Sequence, residues 1–110
     1  LINQAFNNLA QNALNSISEK NSLINDYKGE ITISLVLEKN FCRLIMKDNG
    51  IGLPVNKEFL TEPYISRSKN GSGIGLAVVK KIMQDHNGNI ELDNNKNNIG
   101  AKVSLLFPLN

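Results

Sequence analysis

Leu1, Ile2, Ala5, Phe6, Leu9, Ala13 and Ile17 recur at intervals of three and four. That spacing places them on one face of a helix and predicts a helix over about residues 1–18. The pattern is already under way at position 1, with no capping residue before it, as expected of a piece cut from a longer chain. Residues 21–29 are polar and read as a loop. From Glu30 to Glu38 the period changes to two, with Ile31, Ile33, Leu35 and Leu37 on one face of a predicted half-buried strand. Asn40 interrupts it. Phe41 to Lys47 follows as a second strand, Cys42, Leu44 and Met46 opposite Phe41, Arg43 and Ile45. So short a connection favours an antiparallel hairpin. Residues 48–54 form a glycine-bearing turn, and from there to Gly73 the pattern is irregular, with at most a short helix near 57–60. Residues 75–86 return to helical spacing, with Leu76, Val79, Ile82, Met83 and His86 on one side, and Asn87-Gly88 supplies a left-handed cap. Residues 90–92 and 102–107 read as strands joined by the polar 93–98. Two helices and about four strands in this order predict one α+β domain over residues 1–110, a two-layer sandwich.

Composition narrows the chemistry. With 41% apolar and 20% charged residues the chain has a globular profile. No apolar run approaches the roughly 18 residues of a membrane span. A formal charge of +2 offers no argument for a nucleic-acid partner, and none is expected. The one cysteine, Cys42, excludes an internal disulfide and a Cys-rich zinc site, and is expected as a half-buried strand thiol. His86, the one histidine, is too little for a histidine metal cluster and is expected to be packed at a helix end.

Three segments carry candidate chemistry, and each has an ordinary alternative. Asn8, Asn12 and Asn15 form a polar stripe on the first helix. Asn8 and Asn12, four apart, project from one face. They are either a solvated back face or a pair of amides offering oxygens to a hard cation. Asp48-Asn49-Gly50-Ile51-Gly52 is either a hairpin turn or a close backbone approach to a ligand, with Asp48 placed to accept a hydrogen bond from a base amino group. Gly71-Ser72-Gly73-Ile74-Gly75-Leu76 opens the second helix. It is either a flexible linker or an anion cradle of backbone N–H groups at a helix start. The long irregular stretch before it is of the kind that serves as a functional lid.

In that order the three segments resemble the Bergerat-fold ATP-binding domain of the GHKL superfamily, and within it the catalytic domain of sensor histidine kinases. Asn8-Leu9-Ala10-Gln11-Asn12-Ala13 resembles the N box, Asp48 to Gly52 the G1 box, Glu62-Pro63-Tyr64 the F box and Gly71 to Leu76 the G2 box. The wording around Leu60-Thr61-Glu62-Pro63-Tyr64 and Lys80 to His86 is similar to nitrogen-regulation kinases of the NtrY/NtrB type. The resemblance implies a mixed, mainly antiparallel sheet with helices on one face, its opening strand missing here. It implies that Asn12 ligates Mg²⁺ beside Asn8 and that Asp48 reads adenine. Gly50 and Gly52 would admit the base, and Gly71, Ser72, Gly73, Gly75 and Leu76 would cradle the phosphates. Residues 64–72 would be the ATP lid, with Arg67 and Lys69 as its cations. The implied cofactors are ATP and Mg²⁺. The implied partners are a dimerisation domain bearing the phosphoacceptor histidine and a downstream response regulator. The domain would be cytoplasmic, its parent protein dimeric and anchored in the inner membrane.

The departures are informative. Ala101 follows Gly100 where the family commonly has Thr, which removes a hydroxyl on the adenine side. Lid cations are displaced from their usual order. GHKL hydrolases carry a basic Glu one turn before the metal Asn, whereas this chain has Asn8, an amide that takes no proton from water. The expectation is phosphoryl transfer to a protein side chain rather than hydrolysis. The alternatives are another GHKL protein, such as an anti-sigma-factor kinase or an ATPase, and a non-catalytic nucleotide-binding or docking module.

Overall fold

A computed structural model describes residues 2–53, 75–94 and 100–109. The first helix, α1 (Ile2–Leu23), runs about five residues past the predicted end. Residues 18–23 contain no Gly or Pro to stop it. Lys20, in the last turn, favours the negative end of the helix dipole and lies 5.3 Å over the Tyr27 ring. Strands β1 (Ile31–Leu37) and β2 (Phe41–Asp48) form the expected hairpin. The second helix, α2 (Gly75–Asp85), ends as its sequence predicts. Asn87 takes a φ of 60°, its N–H bonds the Gln84 carbonyl, and the Gly88 N–H bonds that of Met83. That pair of bonds is a Schellman cap. Strands β3 (Asn89–Asn94) and β4 (Ala101–Pro108) complete the set. The short helix expected near 57–60 lies outside the described residues.

The strands lie in the order β1-β2-β4-β3, and every pairing among them is antiparallel. The register sorts side chains onto two faces. One face carries Ile31, Ile33, Leu35 and Leu37, then Cys42, Leu44, Met46 and Asp48, then Ala101, Val103, Leu105 and Phe107, then Ile90 and Leu92. Both helices pack on it. Ala5, Leu9 and Ala13 of α1 meet Val79, Ile82 and Met83 of α2 over Met46 and Leu105, and these eight residues form the core. On the other face Arg43 of β2 reaches over β4 to Glu91 of β3 and also pairs with Glu38. The register partners of Arg43 and Glu91 on β4, Leu106 and Ser104, are buried on the same face.

One expectation is corrected here. The alternating residues of β1 are not half-buried along its length: Ile33, Leu35 and Leu37 are 51%, 67% and 75% exposed. The helices rest on β2, β3 and β4 and reach β1 only near Ile31. Alternation reports which side chains share a face, and helix placement decides how much of that face is covered. Cys42 is half-buried, as expected.

This difference in cover is measurable. Leu105→Ala, at a fully buried position, is expected to destabilise the domain by about 2–5 kcal/mol. Leu35→Ala, on the same face of the sheet, is expected to cost less than about 1 kcal/mol. Urea unfolding of the two variants checks the contrast.

Candidate functional site

The site is built on the turn that leaves β2. Asp48, the last residue of that strand, is a carboxylate only 7% exposed. Its Oδ1 accepts the N–H of Gly50 at 2.9 Å, the N–H of Ala101 at 3.3 Å and the hydroxyl of Ser16 at 3.4 Å. Burial pushes the Asp48 carboxyl above the usual carboxylate range, and the three donors oppose that shift without cancelling it.

Alternate residues after Asp48 are tied to different elements. Asn49 mimics a strand partner: its Oδ1 accepts the Glu30 N–H at 2.7 Å and its Nδ2 donates to the Lys28 carbonyl at 3.0 Å. The Asn49 carbonyl accepts the Tyr27 hydroxyl. The Ile51 N–H bonds the Ser16 hydroxyl at 2.9 Å and the Ser16 carbonyl at 3.3 Å. Asn94, at the end of β3, grips Leu53 twice, accepting its N–H at 2.8 Å and donating to its carbonyl at 3.3 Å. Gly50 presses so closely on α1 that a Cβ there would stand 2.2 Å from the Ser16 hydroxyl and 2.5 Å from its carbonyl carbon. Gly100, at φ 81°, leaves room for the Asp48 carbonyl only because it has no side chain, since a Cβ would stand 1.8 Å from that oxygen. Gly52 is buried, with φ 82°.

The first helix supplies the second wall. Asn8 and Asn12 are both half-buried, on the border between the core face, which carries Leu9 and Ala13, and solvent. Ser16 continues the same four-residue stripe, about 6 Å along the helix per step. Contact of Ser16 with Asp48 and Ile51 therefore aligns the amide stripe with the turn. The structure thus joins Asp48, Gly50 and Gly52 to the helix that carries Asn8 and Asn12. Gly75 opens α2, and Leu76 in its first turn packs against the core. Arg67, Lys69, Gly71, Ser72 and Gly73 lie outside the described residues, as do the F-box segment and the expected lid.

Two departures from the sequence reading emerge. His86 is not packed: it stands exposed beyond the last covered turn of α2, its Nδ1 2.8 Å from the Ile82 carbonyl. Ala101, noted for the hydroxyl it lacks, holds Asp48 through its backbone N–H. Ser16 and Asn94 were missed. For Ser16 a signal exists, since it follows Asn12 by four. Asn94 has none, being one asparagine among several in a polar stretch.

Comparison with known proteins gives the family and the fold. The family described as histidine kinase-, DNA gyrase B- and HSP90-like ATPase matches residues 1–110. A putative sensor histidine kinase, NtrY-like, of Rickettsia conorii is 35% identical over 98% of the chain, and the nitrogen regulation protein NtrY of Azorhizobium caulinodans is 35% identical over 96%. The sensory histidine kinase/phosphatase NtrB of Rhizobium leguminosarum bv. phaseoli is 34% identical over 91%. The chain spans only 17%, 14% and 28% of those proteins. Among solved structures, the catalytic domain of histidine kinase ThkA matches 97% of the chain and 66% of its own, with a TM-score of 0.77 and 28% identity. The mycobacterial sensor histidine kinase MprB shares the fold, with a TM-score of 0.66 at 23% identity over 93% of this chain and 72% of its own. The chain belongs to the histidine kinase-, DNA gyrase B- and HSP90-like ATPase family.

Proposed function

We propose that this domain binds Mg-ATP between α1 and the Asp48 turn and donates the γ-phosphoryl group to a histidine on a separate dimerisation domain, from which a response regulator is phosphorylated. One observation carries the reading. The stripe bearing Asn8 and Asn12 runs directly into Ser16, and Ser16 touches Asp48 and Ile51. A base-reading carboxylate and a phosphate-side amide then sit at two ends of one wall, as a nucleotide requires. Asp48 is suited to the base. A desolvated carboxylate held by several donors discriminates strongly between a partner that donates a proton and one that does not.

The residues fit a magnesium ion delivered with its nucleotide. No group of three His, Cys, Asp or Glu stands together among the described residues. Mg²⁺ seldom needs such a cage, because it keeps waters and takes phosphate oxygens with one or two protein ligands. Asn12 would hold it through the amide oxygen. When bound it supplies charge neutralisation of the phosphates. The protein's part is otherwise positioning, which is most of what phosphoryl transfer asks. Asn8 provides no base for water, which favours transfer over hydrolysis. The acceptor is not His86, since this reading places it on the dimerisation domain. No helix among the described residues is long and apolar enough to cross a membrane. The dimeric, membrane-anchored character belongs, on this reading, to the rest of the parent protein, with this domain on the cytoplasmic side.

Asp48→Asn is expected to weaken ATP binding by about 1.5–3 kcal/mol, roughly ten- to a hundred-fold, and to erase the preference for ATP over GTP. Titration calorimetry with both nucleotides checks this, and an unchanged preference would refute the base-reading role.

For Asn12→Ala, Mg²⁺ should no longer strengthen ATP binding. Transfer of labelled phosphate in trans to the parent protein's histidine-bearing domain should stop. Persistence of either would remove Asn12 from the metal site.

Asp48→Asn should also act on stability, with a definite sign. Because the folded chain holds the Asp48 proton more tightly than the unfolded chain, stability from this group is fully present below the unfolded pKa, about 3.9. It is lost as pH rises to the higher folded value and is constant above that. The difference in urea midpoint, variant minus wild type, should therefore grow as pH rises from about 4 through the folded pKa. A difference that shrinks would contradict the burial penalty.

A further inference from the structure

Ser16 stands one turn beyond the last residue of the N-box resemblance and has no part in the reading above except as a contact. Its hydroxyl nonetheless both accepts and donates across the joint. One lone pair takes the Ile51 N–H at 2.9 Å, which turns the single hydroxyl proton toward Asp48 Oδ1 at 3.4 Å. The Ser16 carbonyl takes a second, longer bond from the same Ile51 N–H at 3.3 Å. Gly50, between the two bonded residues, lies so close that any side chain there would overlap Ser16. The contact is therefore a fitted joint between α1 and the turn, with no room for slippage.

We propose that Ser16 is a positioning residue for base selection, orienting the Asp48 carboxylate from α1 so that adenine is preferred over bases lacking an exocyclic amino group. The proposal rests on the reading of Asp48 as the group that meets the base. Three donors converge on one oxygen of Asp48, and each comes from a different place. Gly50 belongs to the turn itself, Ala101 to the start of β4, and Ser16 to the helix. Gly50 and Ala101 donate through backbone N–H groups. Ser16 alone of the three contributes through a side chain, so a substitution there adjusts the carboxylate's aim without altering the backbone. An alanine there keeps the helix and the Ser16 carbonyl bond, and removes both hydroxyl bonds together.

The test compares ATP with inosine triphosphate, which presents a carbonyl where adenine presents its amino group. Calorimetric affinities for both are measured on the wild-type chain, Ser16→Ala, Asp48→Asn and the double variant, with urea midpoints as a check on folding. The expected result for Ser16→Ala is an ATP affinity about three- to tenfold lower, the worth of one ordinary hydrogen bond. Its inosine triphosphate affinity should be unchanged, so that the ratio falls. In the Asp48→Asn background the same substitution should leave the ratio where Asp48→Asn puts it, because the two residues act as a unit. A Ser16→Ala ratio equal to wild type, with the ratio lost in Asp48→Asn, overturns the role of Ser16 and leaves the base-reading role of Asp48 standing. Equal weakening of both nucleotides by Ser16→Ala also overturns it, as a merely structural joint would act on both. A wild-type ratio in Asp48→Asn overturns the reading of Asp48 and the proposal with it.

Discussion

A buried carboxylate at the end of β2 constrains everything around it. Placing Asp48 under the helices removes it from water, which is costly unless donors replace the lost hydration. The donors found are Gly50, Ala101 and Ser16, and each fixes part of the architecture. Gly50 sets the path of the turn, Ala101 brings the start of β4 against it, and Ser16 locks α1 onto it. Gly100 follows from the same demand, since its backbone lies against the Asp48 carbonyl at a distance no side chain tolerates. Burial outweighs these donors in setting the Asp48 carboxyl pKa, which lies above the usual carboxylate range.

The turn beyond Asp48 is rigid for a second reason. Asn49, Ile51 and Leu53 are each held by groups from outside the turn: the loop before β1, α1 and the end of β3. A glycine-rich segment loses much conformational entropy on ordering, and these anchors offset that loss by holding it in one path. The two-layer core beneath, from Ala5 to Leu105, provides the fixed frame on which those anchors stand. By contrast β1 carries Ile33, Leu35 and Leu37 largely outside the cover of the helices. The well-packed part of the domain is thus the part that carries the Asp48 turn.

Much of this was legible in residue order. Periodicity located both helices and all four described strands, because each element repeats its apolar residues at its own period and Asn87-Gly88 marks an unambiguous stop. The DxGxG turn and the Asn8–Asn12 pair each had an ordinary reading, and it was their order along the chain together with the glycine triple that pointed to the family. What sequence did not reveal was depth and partnership. The alternation of β1 gave the right face and the wrong burial, and His86 has the right spacing for a packed face but lies past the end of the helix's cover. Ser16 looked like one more polar residue on a helix, and Asn94 like one more asparagine in a loop.

By itself the order of residues determined the elements, their boundaries to within a few positions, and the family. These are local matters, governed by backbone preference, side-chain period and the chemistry of single groups. Tertiary structure alone decided that β4 enters between β2 and β3, that the helices cover one end of the sheet more than the other, and that Ser16, Ala101 and Asn94 converge on the Asp48 turn. Those facts depend on which surfaces remain apolar after each element has formed and on where donors come to rest around a buried charge. Contacts between residues 16 and 48, 48 and 101, and 53 and 94 leave no periodic trace along a chain, because only packing brings their partners together.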